Sequence, residues 1–544
     1  MNKIWLKNYP QGTPAGIDPD QYTSILDLLD RTFAKFGDKP AFHNLGCSLS
    51  FAELDLQSRA FAAFLQGLPG MVKGERVAIM SPNLLQYPVV LVGILRAGMT
   101  VVNVNPLYTP RELEHQLKDS GARAIVIVEN FAQTLQQVLD RTPVEHVITT
   151  QVGDMLPVPK RWLVNFVIKH VRKMVPEWRI DSAIALCDAL GRGATARFNP
   201  VQTTVEDIAF LQYTGGTTGV AKGAMLTHRN ILANMQQTNA WVSGRILEGS
   251  EIFIAPLPMY HILCLIATLM FMKLGGLTVL ITNPRDLPAF VKELAGLKFT
   301  AMLGVNTLFN GLLNTRGFDQ LDFSALKFVG AGGAATQKPV AERWQKVTGT
   351  YLSEGYGLTE TSPIVCFMPL GTAWDGTVGF PIPSTEVSIR DGGFNELPVW
   401  TGDGDIEKHT GEICIRGPQV MQGYWNNPAE TANVLRDGWL KTGDIGHLDD
   451  QGRVTITDRK KDMILVSGFN VYPNEIESVV AAHPGVLECA AVAVPDEKTG
   501  EAVKVVIVKK DPNLTRESVI EHCRTSLTSY KVPRHVEYRD ALPK

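Results

Sequence analysis

The densest chemistry in the sequence lies at 213–223, YTGGTTGVAKG. Gly215, Gly216 and Gly219 let a backbone come close to a polyphosphate, and Thr214, Thr217, Thr218 and Lys222 offer it hydroxyls and an ammonium. This is not a Walker A loop, which needs Gly before its Lys and Ser or Thr after it; Ala221 and Gly223 stand in those places. Downstream, GAGG at 330–333 and EGYGLTE at 354–360 combine close-approach glycines with a flat aromatic face, Tyr356. Glu360 supplies a hard oxygen of the kind divalent cations take. Asp444, in WLKTGD at 439–444, can accept hydrogen bonds from two hydroxyls, although alone it reads as a turn or capping residue. His261, in LPMYHI, sits within an apolar run, where a lone histidine is ordinarily a satisfied core residue.

The elements that must position these groups follow from the hydrophobic pattern. Residues 76–128 read as strand RVAIM, an apolar helix over 88–96, strand MTVVNVN, helix PRELEHQLKDS with Pro110 at its start, and strand RAIVIV. Strands alternating with helices imply parallel pairing, so the fold class is α/β, with sheets covered on both faces. The alternation returns over 250–360, and the phosphate-type loop follows a strand at 208–213. From 380 to 457 short strands and turns (TEVSIRD, GEICIRG, RVTITD) predict a small β-rich subdomain. Beyond the charged, exposed linker DRKKD at 458–462 come NEIESVVAAH (helix), LECAAVAVP and EAVKVVIVKK (strands) and TRESVIEHCRTSL (helix), a small α+β unit. The division expected is 1–458 for a large domain and 459–544 for a small C-terminal one.

With 544 residues, 45% hydrophobic and 20% charged, the chain is long enough for more than one core. A net charge of −3 gives no global attraction to nucleic acid. Seven scattered cysteines without a CxxC point to a reducing cytoplasm, not to disulfides or a zinc site. No secretory signal is visible in the first twenty residues. The apolar run 252–272 is broken by Pro256, Pro258 and His261 and reads as a buried strand followed by a buried helix. Residues 162–179, WLVNFVIKHVRKMVPEWR, read as a basic amphipathic helix that could lie on an anionic membrane surface or pack on its own domain.

YTGGTTGVAKG resembles the phosphate loop of the acyl-adenylate-forming superfamily, with Ala221 where the usual pattern has Pro. The other superfamily segments follow in order along essentially the whole chain. The resemblance implies ATP, coenzyme A, and magnesium held by Glu360 with Thr214 a second contributor. It implies an adenine pocket at Tyr356, Thr359, Gly332, Gly333 and Gly355, and ribose contacts from Asp444 and Arg459. Lys461 falls at the hinge, and Gly468, in VSGFNVYP, at the loop that admits pantetheine. It sets His261 between nucleotide and acyl chain, with Leu265 where some relatives carry a gating Trp. Residues 437–461, together with ILRAGMTVVNVNPLYTPRELEHQL and NPRDLPAFVKEL, resemble the bacterial long-chain fatty-acid–CoA ligases.

The implied reaction adenylates a fatty acid, then turns the small domain so that the coenzyme A thiol attacks the acyl-adenylate. The superfamily places an adenylation lysine in a Gly-Lys pair just past a Leu-Pro-Lys, so Lys544 matches the lead-in and that lysine falls beyond it. A chain ending at Lys544 is expected to adenylate poorly while still passing a supplied acyl-adenylate to coenzyme A. The alternatives are an aryl or medium-chain acid–CoA ligase, a luciferase-like oxygenase, and a non-catalytic nucleotide-regulated protein at the membrane. A cytoplasmic protein, peripheral on the inner membrane surface, is the expected setting; the oligomeric state stays open, a homodimer included.

Overall fold

The computed structural model describes residues 3–214, 221–459, 462–466, 469–496, 499–527 and 529–542. A large N-terminal part holds two extended sheets and a small β-rich sheet, and a small C-terminal domain holds a fourth. The seven-stranded sheet runs Ile184–Ala185, His146–Thr150, Ala124–Val128, Arg76–Met80, Thr100–Asn103, Ile208–Thr214, Lys222–Thr227, parallel except for the last pair. The nine-stranded sheet is parallel from Leu352–Gly357 through Phe328–Ala331, Ala301–Gly304, Ile252–Ala255 and Leu277–Leu280 to Pro40–Asn44, with antiparallel edges.

Side-chain alternation explains the layering. Val77 and Ile79 face one core while Ala78 and Met80 face another, as the period of two along a strand requires. The first of these cores lies between the two large sheets and takes in Phe210 from one and Phe253 from the other. Its helices include Gln86–Arg96, buried at every position, and Ile262–Lys273, almost entirely so. A helix that is apolar all round has no solvent face to offer, so a place between sheets is where it fits. The outer face of the nine-stranded sheet packs Val279, Met302 and Val329 against Phe290, Phe309 and Trp344. Local chemistry agrees at the outer helix Pro110–Ser120: Thr109 and Glu112 form a capping box, Pro110 occupies the first turn, and Gly121 closes the end at φ 63°.

The β-rich sheet pairs Glu386–Arg390, Gly411–Arg416, Trp439–Leu448 and Leu435–Arg436, with Val454–Arg459 on the long strand. In the C-terminal domain, Val486–Asp496 and Gly500–Lys509 form a long antiparallel pair covered by the helices Pro473–Ala481 and Arg516–Arg524.

Two expectations change. The basic segment is helical only over Lys160–Phe166, with a π-helical turn at Val167–Val171. Lys173 sits at φ 51° and Pro176 follows, so the helix cannot run to 179. Asp458 is not an exposed linker charge. It is buried, accepting from Arg459 N at 2.7 Å and from Asn474 N at 3.1 Å, which ties the strand Val454–Arg459 to the first helix of the C-terminal domain. Lys461 lies outside the described residues. None of the seven cysteines is in a disulfide, and among the described residues no helix is long and apolar enough to cross a membrane.

Candidate active site

Both large sheets aim the carboxyl ends of parallel strands at one crevice, where ligands of such sheets bind. A cavity of about 730 Å³ occupies it. Tyr213 and Thr214 reach it from the end of Ile208–Thr214, Lys222 from the start of the next strand, and Gly332 and Gly333 just past Phe328–Ala331. Gly355 and Tyr356 come from Leu352–Gly357, Thr359 and Glu360 from the short helix Thr359–Thr361, and Asp444 and Arg459 from two paired β-sheet strands. His261, the N-cap of Ile262–Lys273, completes the set. Each expected site residue within the described regions therefore lines one cavity. Gly215, Gly216, Thr217, Thr218, Gly219, Lys461 and Gly468 lie outside the described residues.

At one end of the cavity, Tyr356 Oη donates to Asp444 Oδ2 at 2.7 Å, and Arg459 Nε lies 3.3 Å from Asp444 Oδ1. Asp444 is nearly buried, and that desolvation raises its pKa above the ordinary carboxylate value, against the lowering effect of Tyr356 and Arg459. The backbone around the tyrosine is packed too tightly for a side chain: a Cβ on Gly357 would sit 1.8 Å from Pro363 O. Glu354, beneath the glycine loop, accepts from Thr336 N at 3.0 Å and from Trp374 Nε1 at 2.8 Å, and burial pushes its pKa up to about 7.

Elsewhere in the lining, Thr214 and Lys222 face each other across an antiparallel pair. Lys222 Nζ pairs with Glu430 Oε1 and lies over the Tyr424 ring, 5.2 Å from its centroid. Tyr424 Oη donates to Glu360 Oε1 at 2.6 Å. The described residues contain no cluster of three His, Cys, Asp or Glu built to hold a metal. A single carboxylate with a hydroxyl suits magnesium nonetheless, because that ion keeps several waters and binds chiefly through phosphates. The donor chemistry of Glu360 and Thr214 therefore fits it.

The apolar arm is lined by Ile262, Leu263, Ile266, Ala267, Met270 and Phe328 among others. His261 lines the same cavity, and desolvation by the surrounding protein lowers its pKa. Buried amides fix the turn before it. Asn83 donates to Ala255 O and Leu257 O and accepts from Met259 N, while Gln212 donates to Tyr260 O at 2.5 Å. Leu265, which stands where some relatives carry a gating Trp, is fully buried in the core and is not among the cavity-lining residues Ile262, Leu263 and Ile266 of the same helix.

Sequence reasoning missed Tyr424, Glu430 and the Asn83–Gln212 scaffold. Nothing in GYWNNPAET marks Glu430 as a partner for Lys222, which is 208 residues away. The signal available was the cap at Asn427-Pro428, which predicts a helix and leaves its facing side open.

The family model described as AMP-binding enzyme matches residues 29–425, and the AMP-binding enzyme C-terminal domain matches 475–544. A long-chain-fatty-acid–CoA ligase of Escherichia coli O6:H1 is 56% identical, covering 100% of this chain and 96% of the relative. Another, from Bacillus subtilis, is 37% identical over 100% and 95%. Among solved structures, ATP-bound MatB from Rhodopseudomonas palustris superposes with TM-score 0.79 at 28% identity, covering 96% of each chain. With those two models together spanning most of its length and full-length relatives beside them, the chain belongs to the AMP-binding enzyme family.

Proposed function

We propose that the chain activates long-chain fatty acids with ATP and passes the acyl group to coenzyme A, giving acyl-CoA, AMP and pyrophosphate. The observation that carries this reading is a single cavity whose lining includes aromatic, ribose-type and phosphate-type groups together with His261 and a run of apolar side chains. The full-length likeness to proteins named long-chain-fatty-acid–CoA ligases supports it.

In the first step the fatty carboxylate attacks the α-phosphorus of ATP and pyrophosphate leaves. Tyr356, Thr359, Gly332, Gly333 and Gly355 take the adenine, and Asp444 with Arg459 the ribose. Lys222, Thr214 and the loop Gly215, Gly216, Thr217, Thr218 and Gly219 take the phosphates, where catalysis is positioning and charge stabilisation. Glu360 and Thr214 would hold magnesium, which offsets phosphate charge when bound. His261, its pKa lowered, stays neutral at physiological pH and so puts a hydrogen-bonding group beside the apolar arm without burying a charge there. In the second step the small domain, from residue 459 on, turns at Lys461, and Gly468 leaves room for pantetheine at the acyl-adenylate. The acyl chain lies along Ile266, Ala267 and Met270.

The protein would work in the cytoplasm, peripheral on the inner membrane. Val158, Trp162, Leu163, Phe166, Val171 and Met174 are six of the twelve large apolar side chains exposed among the described residues, and Lys169, Arg172 and Lys173 accompany them. Replacing those three cations by Gln should weaken co-sedimentation with anionic vesicles at low salt; identical co-sedimentation would remove the membrane role. For the reaction, acyl-CoA formation across a series of acid chain lengths is the test. Turnover confined to aryl or short acids would contradict the long-chain reading.

A further inference from the structure

Lys222 is the cation that a polyphosphate in this cavity would take, and the structure shows it engaged by a carboxylate. Glu430 Oε1 accepts from Lys222 Nζ, and the hydrogen bond to the ammonium holds the Glu430 carboxyl below its ordinary pKa. The carboxylate is fixed by its surroundings. Glu430 is the third residue of the helix Pro428–Val434, its backbone N donates to the Asn427 side chain at 3.1 Å, and its second oxygen accepts from Asn433 Nδ2 at 3.2 Å. The Lys222 and Glu430 side chains are 14% and 27% exposed, so solvent screens the pair only in part. Both line the cavity, as does Tyr424, whose ring lies beneath the ammonium and whose hydroxyl holds Glu360. The same segment is pinned to the phosphate-loop strand and to the short helix at Glu360: Trp425 N donates to Gly223 O at 2.8 Å, and Met421 N to Glu360 O at 2.8 Å.

We propose that Glu430 is a built-in competitor of polyphosphate for Lys222, weakening the hold on ATP and pyrophosphate so that pyrophosphate leaves before the thiol step. The proposal rests on reading the cavity as an ATP site. Each ammonium donor given to Glu430 is one withheld from phosphate, and a fixed carboxylate beside a polyphosphate adds like-charge repulsion. Both effects act on ligands carrying two or more phosphates at the Lys222 end. AMP, whose single phosphate joins the ribose, escapes most of them. The residue is a positioning and affinity-setting group, touching the reaction through Lys222.

The test is Glu430→Gln, which keeps the shape and the Asn427 contact and removes the charge. Titration calorimetry with ATP, pyrophosphate and AMP should show ATP and pyrophosphate binding tightened by about five- to tenfold, the scale of one partly screened charge contact, with AMP within about twofold. Pyrophosphate release in a stopped-flow assay should slow in proportion. In a Lys222→Met background the same change should gain much less, as a shared interaction requires. If Glu430→Gln does not fold, judged by its thermal melt, Glu430→Asp decides: drawing the carboxylate back by one methylene should still tighten ATP and leave AMP alone. Parental ATP binding that is unchanged or weaker in the variant overturns the proposal, as does equal tightening of AMP. A parent that binds no ATP overturns the underlying site reading as well.

Discussion

Asp444 allows fold and function to be separated with one atom. Asp444→Ala leaves the Tyr356 hydroxyl buried without its acceptor, a loss of about 1–3 kcal/mol, while freeing the largely exposed Arg459 costs little. Asp444→Asn is different, because its amide oxygen still accepts from Tyr356. Burial raises the Asp444 pKa above its ordinary 3.8, so the ionised carboxylate subtracts stability progressively as pH rises from the unfolded value through the folded one. The neutral Asn removes that subtraction and should melt at or slightly above the parent at neutral pH. ATP should nonetheless bind worse. A carboxylate can accept both ribose hydroxyls, and losing one charge-assisted bond of about 1.5–3 kcal/mol raises the KM for ATP by about 10- to 100-fold. The assay is acyl-CoA formation with ATP and with 2′-deoxy-ATP, beside a thermal melt. The parent should discriminate strongly against the deoxy nucleotide and Asp444→Asn only weakly. A variant with parental KM and parental discrimination would refute the ribose role, and a large drop in melting temperature would refute the claim that Asn satisfies Tyr356.

Glu360→Ala should lower acyl-adenylate formation by about 10²–10³-fold at saturating magnesium without unfolding the protein, followed as pyrophosphate release; an unchanged rate would remove Glu360 from the phosphate site. Ala267→Trp fills the apolar arm and should abolish turnover of palmitate while sparing short acids, read from a chain-length series; equal loss across the series would mean the acyl chain lies elsewhere. Glu354, raised to about 7, should make the parent lose stability as pH climbs from about 4.5 to 7, and Glu354→Gln should flatten that slope in denaturant titrations; parallel slopes would contradict the buried-acid assignment.

The parallel sheets were legible because strands such as Ala124–Val128 are apolar on both faces and the intervening helices carry plain start signals, as at Thr109-Pro110. The long strand Trp439–Leu448 was not placed, since Lys441, Thr442 and Gly443 interrupt its pattern where it leaves the core to reach the cavity. The overlong helix at 162–179 has the opposite cause: amphipathic spacing continues past the point where Lys173 turns left-handed. Of the site residues carried by ordered motifs, those among the described residues line one cavity, whereas Tyr424, Glu430 and the amides holding the His261 turn depend on tertiary neighbours far away in sequence. Leu265, in the place of the relatives' gating Trp, is buried in the core, because helix phase decides which side chains of Ile262–Lys273 meet the cavity.

The central claim is that the carboxylate bonds to the α-phosphorus before the thiol attacks. The most direct measurement uses palmitate labelled with heavy oxygen in both carboxylate positions, incubated with the protein, ATP, magnesium and coenzyme A, with mass spectrometry of the products. The account predicts AMP carrying one labelled oxygen, palmitoyl-CoA retaining the other, and unlabelled pyrophosphate. Unlabelled AMP, or ADP with labelled inorganic phosphate, would contradict it.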